Sequence, residues 1–183
     1  MTLASRVLFA VLLLAVSMKG TAGGAPDCPA ESIQAHVRQQ YAVYGPMSLD
    51  NEYFGFIYRV GDSIDSAVTR GSRCIAGSCI VNIAQAAARI PAAAVIVGEW
   101  HTHPRHGMAE LSENDVYGAY RNRKLGCYSA FYSEPDGGIY EWNPQRGSVR
   151  GAMNSRIRVG NYAAARVGGR TVARNRRGPE PQG

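Results

Sequence analysis

Apolar positions along the chain change their period several times, and each change marks an element. In CPAESIQAHVRQQYAVY, residues 28–44, Ile33, Val37 and Tyr41 recur four apart and form one stripe of a helix. Gly45-Pro46 is expected to break it. EYFGFIYRV, from Glu52 to Val60, is dense in aromatic and β-branched residues and predicts a strand. Gly61-Asp62 then predicts a hairpin turn and SIDSAVTR a returning strand. NIAQAAARIP predicts an alanine-rich helix with Asn82 as its N-cap and Pro91 as its stop. AAAVIVGEW, an apolar run, predicts a buried strand. SENDVYGAYRNRKL opens with Ser-x-x-Asp, a capping-box pattern, and predicts a helix ending at Gly126. CYSAFYSEP and GGIYEWNP predict two strands joined by Pro135-Asp136-Gly137-Gly138. Helices and hairpins in this order predict an α/β domain around one sheet.

The two ends fall outside this pattern. Arg6, the apolar run Val7–Met18, Lys19 and the small residues up to Ala22 have the layout of a signal peptide, and the run is too short for a stable span. Residues 1–22 are therefore read as a signal peptide and 23–145 as the folded domain. The remaining residues, 146–183, carry nine arginines against one acid, Glu180, with many glycines and few large apolar residues. They read as a basic tail, largely without fixed structure because it buries too little surface to offset ordering entropy. The domain itself is slightly acidic, so the net charge of +6 belongs to the tail. An arginine-rich tail can contact a polyanion electrostatically, although Tyr162 is its only aromatic for base stacking.

All four cysteines, Cys28, Cys74, Cys79 and Cys127, follow the signal segment, and an even set in an exported chain reads as disulfides. Cys74 and Cys79 bracket only IAGS and can close a small loop, which would leave Cys28 with Cys127, but four cysteines allow three pairings.

Three of the four histidines lie in GEWHTHPRHGM. On a strand, residues two apart share a face, so His101 and His103 point together. On a helix, residues three apart do so, which pairs Ser112 with Asp115. If the loop between them folds back, two imidazoles and a carboxylate converge, with a fourth position open for water, as in a catalytic zinc site. A base is then needed, and Glu99 and Glu52 are both candidates: Glu99 shares the strand face of His101, whereas Glu52 needs tertiary pairing to reach it. His36, with no metal-binding neighbour one turn away, reads as a surface histidine.

Together, Glu52, His101-Thr102-His103-Pro104, Ser112 and Asp115 resemble the JAMM (JAB/MPN-plus) metallopeptidases, here in an exported bacterial form. The resemblance covers about Glu31 to Trp142. It implies a cytidine-deaminase-like α/β sandwich, a mixed sheet with flanking helices. It also implies Zn2+ held by His101, His103 and Asp115, with Glu52 as base and Ser112 as donor to the developing oxyanion. One departure is visible. Eight residues separate His103 from Ser112 where the family pattern has seven, which calls for a bulge or a different curve of the loop and leaves His106 as an alternative ligand.

The expected activity is hydrolysis of a peptide or isopeptide bond by an exported, periplasmic or secreted enzyme. Eukaryotic relatives cut isopeptide bonds to ubiquitin; an exported chain meets instead peptide or protein substrates such as cell-wall peptide crosslinks. The alternative is a non-catalytic envelope or polyanion-binding module with a structural metal site and a basic tail.

Overall fold

Around one sheet, the predicted hairpins and the buried strand assemble in a computed structural model that describes residues 28–75, 79–104, 111–146, 149–152 and 154–162. The strands are β1 (Asn51–Val60), β2 (Ser63–Arg73), β3 (Val95–Thr102), β4 (Ser129–Ser133), β5 (Gly138–Trp142) and β6 (Ile157–Asn161). They form a six-stranded sheet in the order β2-β1-β3-β4-β5-β6. The β3–β4 pair is parallel and the others antiparallel. Gly61 turns the first hairpin with a φ of 59°, a left-handed conformation that glycine adopts without a Cβ penalty.

Helix α1 (Ala30–Met47) covers one face of the sheet. Its stripe of Ile33, Val37 and Tyr41 is buried against Tyr53, Trp100, Phe131 and Ile139. Trp100, fully buried, has its ring 5.6 Å from Tyr41 and 5.3 Å from Tyr44. On the opposite face, α2 (Ile83–Ala87) presents Ala86 to Phe54 and Phe56. There too, α3 (Glu113–Arg121) presents Val116 and Ala119 to a cluster with Tyr128, Tyr132 and Trp142. The α/β expectation is thus met by a mixed sheet with helices on both faces. Among the described residues, no helix is long and apolar enough to cross a membrane.

Several boundaries differ from the pattern-based expectation. Gly45-Pro46 does not stop α1, which runs to Met47 with Pro46 inside its last turn. Pro46 forfeits its own bond to the carbonyl four residues back, but with one residue of helix left after it no further turn is disrupted, and Gly45 is packed against Tyr162, where a Cβ would come within 2.5 Å of the ring. The alanine-rich helix is only five residues long, and Asn82 makes no side-chain cap bond. Ala86 alone is buried in it, so propensity without packing does not extend it further. The folded unit also passes residue 145: a 3-10 turn at Val149–Gly151 leads into β6, which pairs with β5. Next to β6, Tyr162 stacks on Tyr41 at 6.0 Å. Ile157 and Val159 alternate with Arg158 and Gly160, a two-residue period that the arginine-rich composition of this stretch masks. Residues 1–22, read from the sequence as a signal peptide, and those beyond Tyr162 lie outside the described residues.

Two disulfides form, Cys28–Cys127 and Cys74–Cys79, with no free cysteine among the described residues. The first ties the entrance of α1 to the segment between α3 and β4. Such bridges fit an oxidising compartment.

Glycine also sets a strand spacing. A Cβ on Gly98 would meet the Ser129 carbonyl oxygen at 2.5 Å, across the parallel β3–β4 pair. The obstacle is backbone and cannot swing aside, so Gly98→Ala is expected to cost about 1–3 kcal/mol. A thermal melt within a degree of wild type would show that β3 and β4 can separate freely.

Candidate metal centre

Alternation along β3 sorts its side chains. Trp100 and Thr102 face α1, while Glu99 and His101 face α2 and α3, with His103 following two residues on. His101 is paired with Phe54 on β1 and with Tyr132 on β4. The Tyr132 ring flanks both imidazoles, at 6.3 Å from His101 and 5.7 Å from His103. Both histidines are buried, at 2% and 8% exposure, and their Nε2 atoms stand 3.1 Å apart.

The third donor arrives from the start of α3. Ser112 is its N-cap in a reciprocal capping box: Asp115 N–H donates to Ser112 Oγ at 3.3 Å, and Ser112 N–H donates to Asp115 Oδ2 at 2.8 Å. Ser112 Oγ–H also donates to Oδ2, at 2.7 Å. This cap aims Oδ2 at the histidines, 3.8 Å from His101 Nε2. Burial opposes ionisation of Asp115. His101, the Ser112 hydroxyl and backbone N–H, and His103 outweigh it and hold the carboxyl below its ordinary range.

His101, His103 and Asp115 thus offer ligand atoms within 4.8 Å of one another and can hold a metal ion. A four-coordinate ion with 2.0–2.2 Å bonds needs nitrogen and oxygen donors about 3.3–3.5 Å apart. Two of the three donor separations, 3.1 and 3.8 Å, bracket that spacing. Among the described residues the donors are thus two imidazoles and one ionised carboxylate, which leaves at least one position of a four-coordinate ion open to a further donor or to water.

Both glutamates named from the sequence lie on this face. Glu52 lies near the start of β1, two residues before Phe54, the partner of His101. Burial raises its carboxyl, His101 opposes the shift and Asp115 adds to it, so Glu52 feels both ends of the donor set. Its carboxylate makes no hydrogen bond among the described residues. Glu99 is more deeply placed, 6% exposed, and accepts a short hydrogen bond from the Tyr128 hydroxyl. That hydroxyl in turn accepts from Asn122 Nδ2 at 3.0 Å. Burial raises the Glu99 carboxyl against the Tyr128 hydrogen bond and the charge of His101, with Asp115 adding to the rise.

His106 lies outside the described residues, as does most of the loop that carries the extra residue. His36 is half-buried rather than fully exposed, with Nε2 2.8 Å from Ser66 Oγ, and belongs to no metal-binding group among the described residues. Sequence reasoning missed Tyr132 and Tyr128, and read Tyr41 only as part of the α1 stripe, whereas its hydroxyl donates to the His101 carbonyl at 2.7 Å. Alternation along CYSAFYS is the signal that puts Tyr128 and Tyr132 on one face, but nothing local says that this strand lies beside β3. No protein-family model matches the chain, and no curated protein matches it.

Proposed function

We propose that the protein is an exported zinc-dependent hydrolase of the JAMM type, cleaving peptide or isopeptide bonds. The carrying observation is the convergence of His101, His103 and Asp115 within 4.8 Å, on the sheet face that also carries the Glu52 carboxylate. A mixed sheet with helices on both faces is compatible with the JAB/MPN sandwich and supports the same reading. Zinc bound there supplies a Lewis acid that polarises a carbonyl and lowers the pKa of its water to about 7.

The chain's own residues do the rest. Glu52, whose carboxyl is raised by burial and makes no hydrogen bond among the described residues, takes the proton of the attacking water and delivers it to the leaving nitrogen. Glu99 is held instead by the Tyr128 hydroxyl. Ser112 has one hydroxyl proton, directed at Asp115 Oδ2. Because its backbone N–H holds the same oxygen, the hydroxyl can turn to the developing oxyanion without releasing the ligand. Tyr132 and the buried strand ends keep bulk water from the imidazoles, which strengthens each of these interactions.

Two disulfides fit a location outside the cytosol, where cell-wall peptide crosslinks and exported proteins offer amide bonds. Zinc-loaded protein is expected to cleave crosslinked peptides, to lose that activity to a chelator and to regain it with zinc. Absence of cleavage by zinc-replete protein across peptide and isopeptide substrates would contradict the assignment.

The basic tail is dispensable on this reading, but β6 is not. A chain ending at Tyr162 is expected to keep the full rate, whereas one ending at Arg150 loses β6 and the Tyr41–Tyr162 stack and becomes less stable. Loss of hydrolysis in the chain ending at Tyr162 would place the tail in catalysis.

A further inference from the structure

Glu52 stands at a break in the sheet. The β1–β2 pairing jumps from Asn51 with Arg73 to Tyr53 with Arg70, and the β1–β3 ladder starts only at Phe54 with His101. On both sides of Glu52, side chains replace the ladder toward β3. Tyr53 N–H donates to Thr102 Oγ1 at 2.9 Å, Thr102 Oγ1 lies 2.7 Å from Ser48 Oγ, and Ser48 Oγ donates to the Asn51 carbonyl at 2.6 Å.

The proton directions follow. Each hydroxyl carries one proton. Since that of Ser48 goes to Asn51, Thr102 donates to Ser48 and uses a lone pair for Tyr53 N–H. A single chain of hydrogen bonds thus runs from the residue after Glu52 back to the residue before it, through Thr102, which sits between His101 and His103. Ser48 and Thr102 are both buried, so removing either hydroxyl leaves a partner that water does not readily serve. Helix α1 acts on the histidine strand a second time: Ser48 caps its C-terminus, and Tyr41, further back along the helix, donates to the His101 carbonyl at 2.7 Å.

We propose that Ser48 and Thr102 are positioning residues that lock the backbone on both sides of Glu52 to the His101–His103 strand, and so set where its carboxylate stands against the metal ligands. The inference rests on the hydrolase reading for its catalytic meaning. A displacement of 1 Å at a reacting group can cost about a hundredfold in rate.

The test compares Thr102→Val, which keeps the side-chain shape, with Thr102→Ser, which restores the hydroxyl, and with Ser48→Ala. Thr102→Val and Ser48→Ala are expected to keep their metal and KM, to lose at least tenfold in kcat and to shift the acid limb of the pH profile, while Thr102→Ser recovers. In a Glu52→Gln background, Ser48→Ala is expected to change nothing further. An activity-independent readout is the paramagnetic relaxation of the Glu52 carboxyl carbon in cobalt-loaded protein, expected to change severalfold in Thr102→Val and to return in Thr102→Ser. Unchanged kcat, pH profile and relaxation overturn the proposal even if the melting temperature falls. An equal loss from Ser48→Ala in the Glu52→Gln background also overturns it, because the serine then acts through another group. If the wild type takes up metal and cleaves no amide, the hydrolase reading fails by itself. The relaxation comparison still decides the positioning role, a severalfold change supporting it and no change overturning it.

Discussion

Glu52→Gln is expected to lower turnover about a thousandfold, within the 10²–10⁴ range of a well-placed general base, while leaving metal content unchanged. That loss corresponds to about 4 kcal/mol of transition-state stabilisation. The substitution keeps the size of the side chain and removes only its capacity to take a proton. Glu52 is not one of the three residues whose ligand atoms converge, so the metal has no reason to leave. Glu99→Gln is the informative control. Glu99 lies on the same face and feels the same two charges, but its Oε2 is taken by Tyr128, and burial favours its neutral form. A glutamine there can still accept from Tyr128, so the rate is expected to change by less than tenfold. Steady-state rates of the two zinc-loaded variants on one crosslinked peptide decide the matter. If Glu99→Gln is inactive and Glu52→Gln retains full activity, the base has been assigned to the wrong strand.

The largest stability effect is expected from the long disulfide. Cys28 and Cys127 are 99 residues apart, and closing a loop of that length restricts the unfolded chain by about 4–5 kcal/mol in the chain-entropy account. Cys74 and Cys79 are 5 apart, and the same account gives about 2 kcal/mol. At about 2–4 °C per kcal/mol for a domain of this size, Cys28→Ala/Cys127→Ala is expected to melt about 10–15 °C below wild type. The Cys74→Ala/Cys79→Ala pair is expected to fall by about half as much. Calorimetry on both pairs checks this. Equal losses would mean that the covalent tie between the entrance of α1 and the α3–β4 segment is not what holds the long bridge's share.

Where chemistry depends on local geometry, the sequence was readable. His101 and His103 share a face because side chains alternate along any strand, and Ser112 presents Asp115 because a capping box has one geometry. The hairpin at Gly61 was legible for the same reason, since few residues other than glycine tolerate its φ. What required the fold was pairing between distant segments. Choosing between Glu52 and Glu99 needs the β1–β3 register, and the Tyr132 ring reaches the histidines only through the parallel β3–β4 pair. Neither contact leaves a periodic trace. The cysteine partners were undetermined until α1 was laid across the sheet. β6 was hidden for a different reason: its two-residue period lies inside an arginine-rich stretch whose composition argues for a solvated tail, and pairing with β5 overrides that local preference.

Thr102 shows how far a motif can be read without its surroundings. In the sequence it is the middle residue between two histidines. In the structure its hydroxyl, turned to the opposite face, meets both Ser48 and the Tyr53 backbone next to Glu52.

Metal content tests the central claim most directly. Mature protein purified without added metal and analysed by element is expected to carry about one zinc per chain, and His101→Ala/His103→Ala about none, with the variant's fold confirmed by its circular dichroism. Zinc absent from the wild type even after incubation with the ion, or equal in both proteins, would contradict the assignment of His101, His103 and Asp115 as a metal centre.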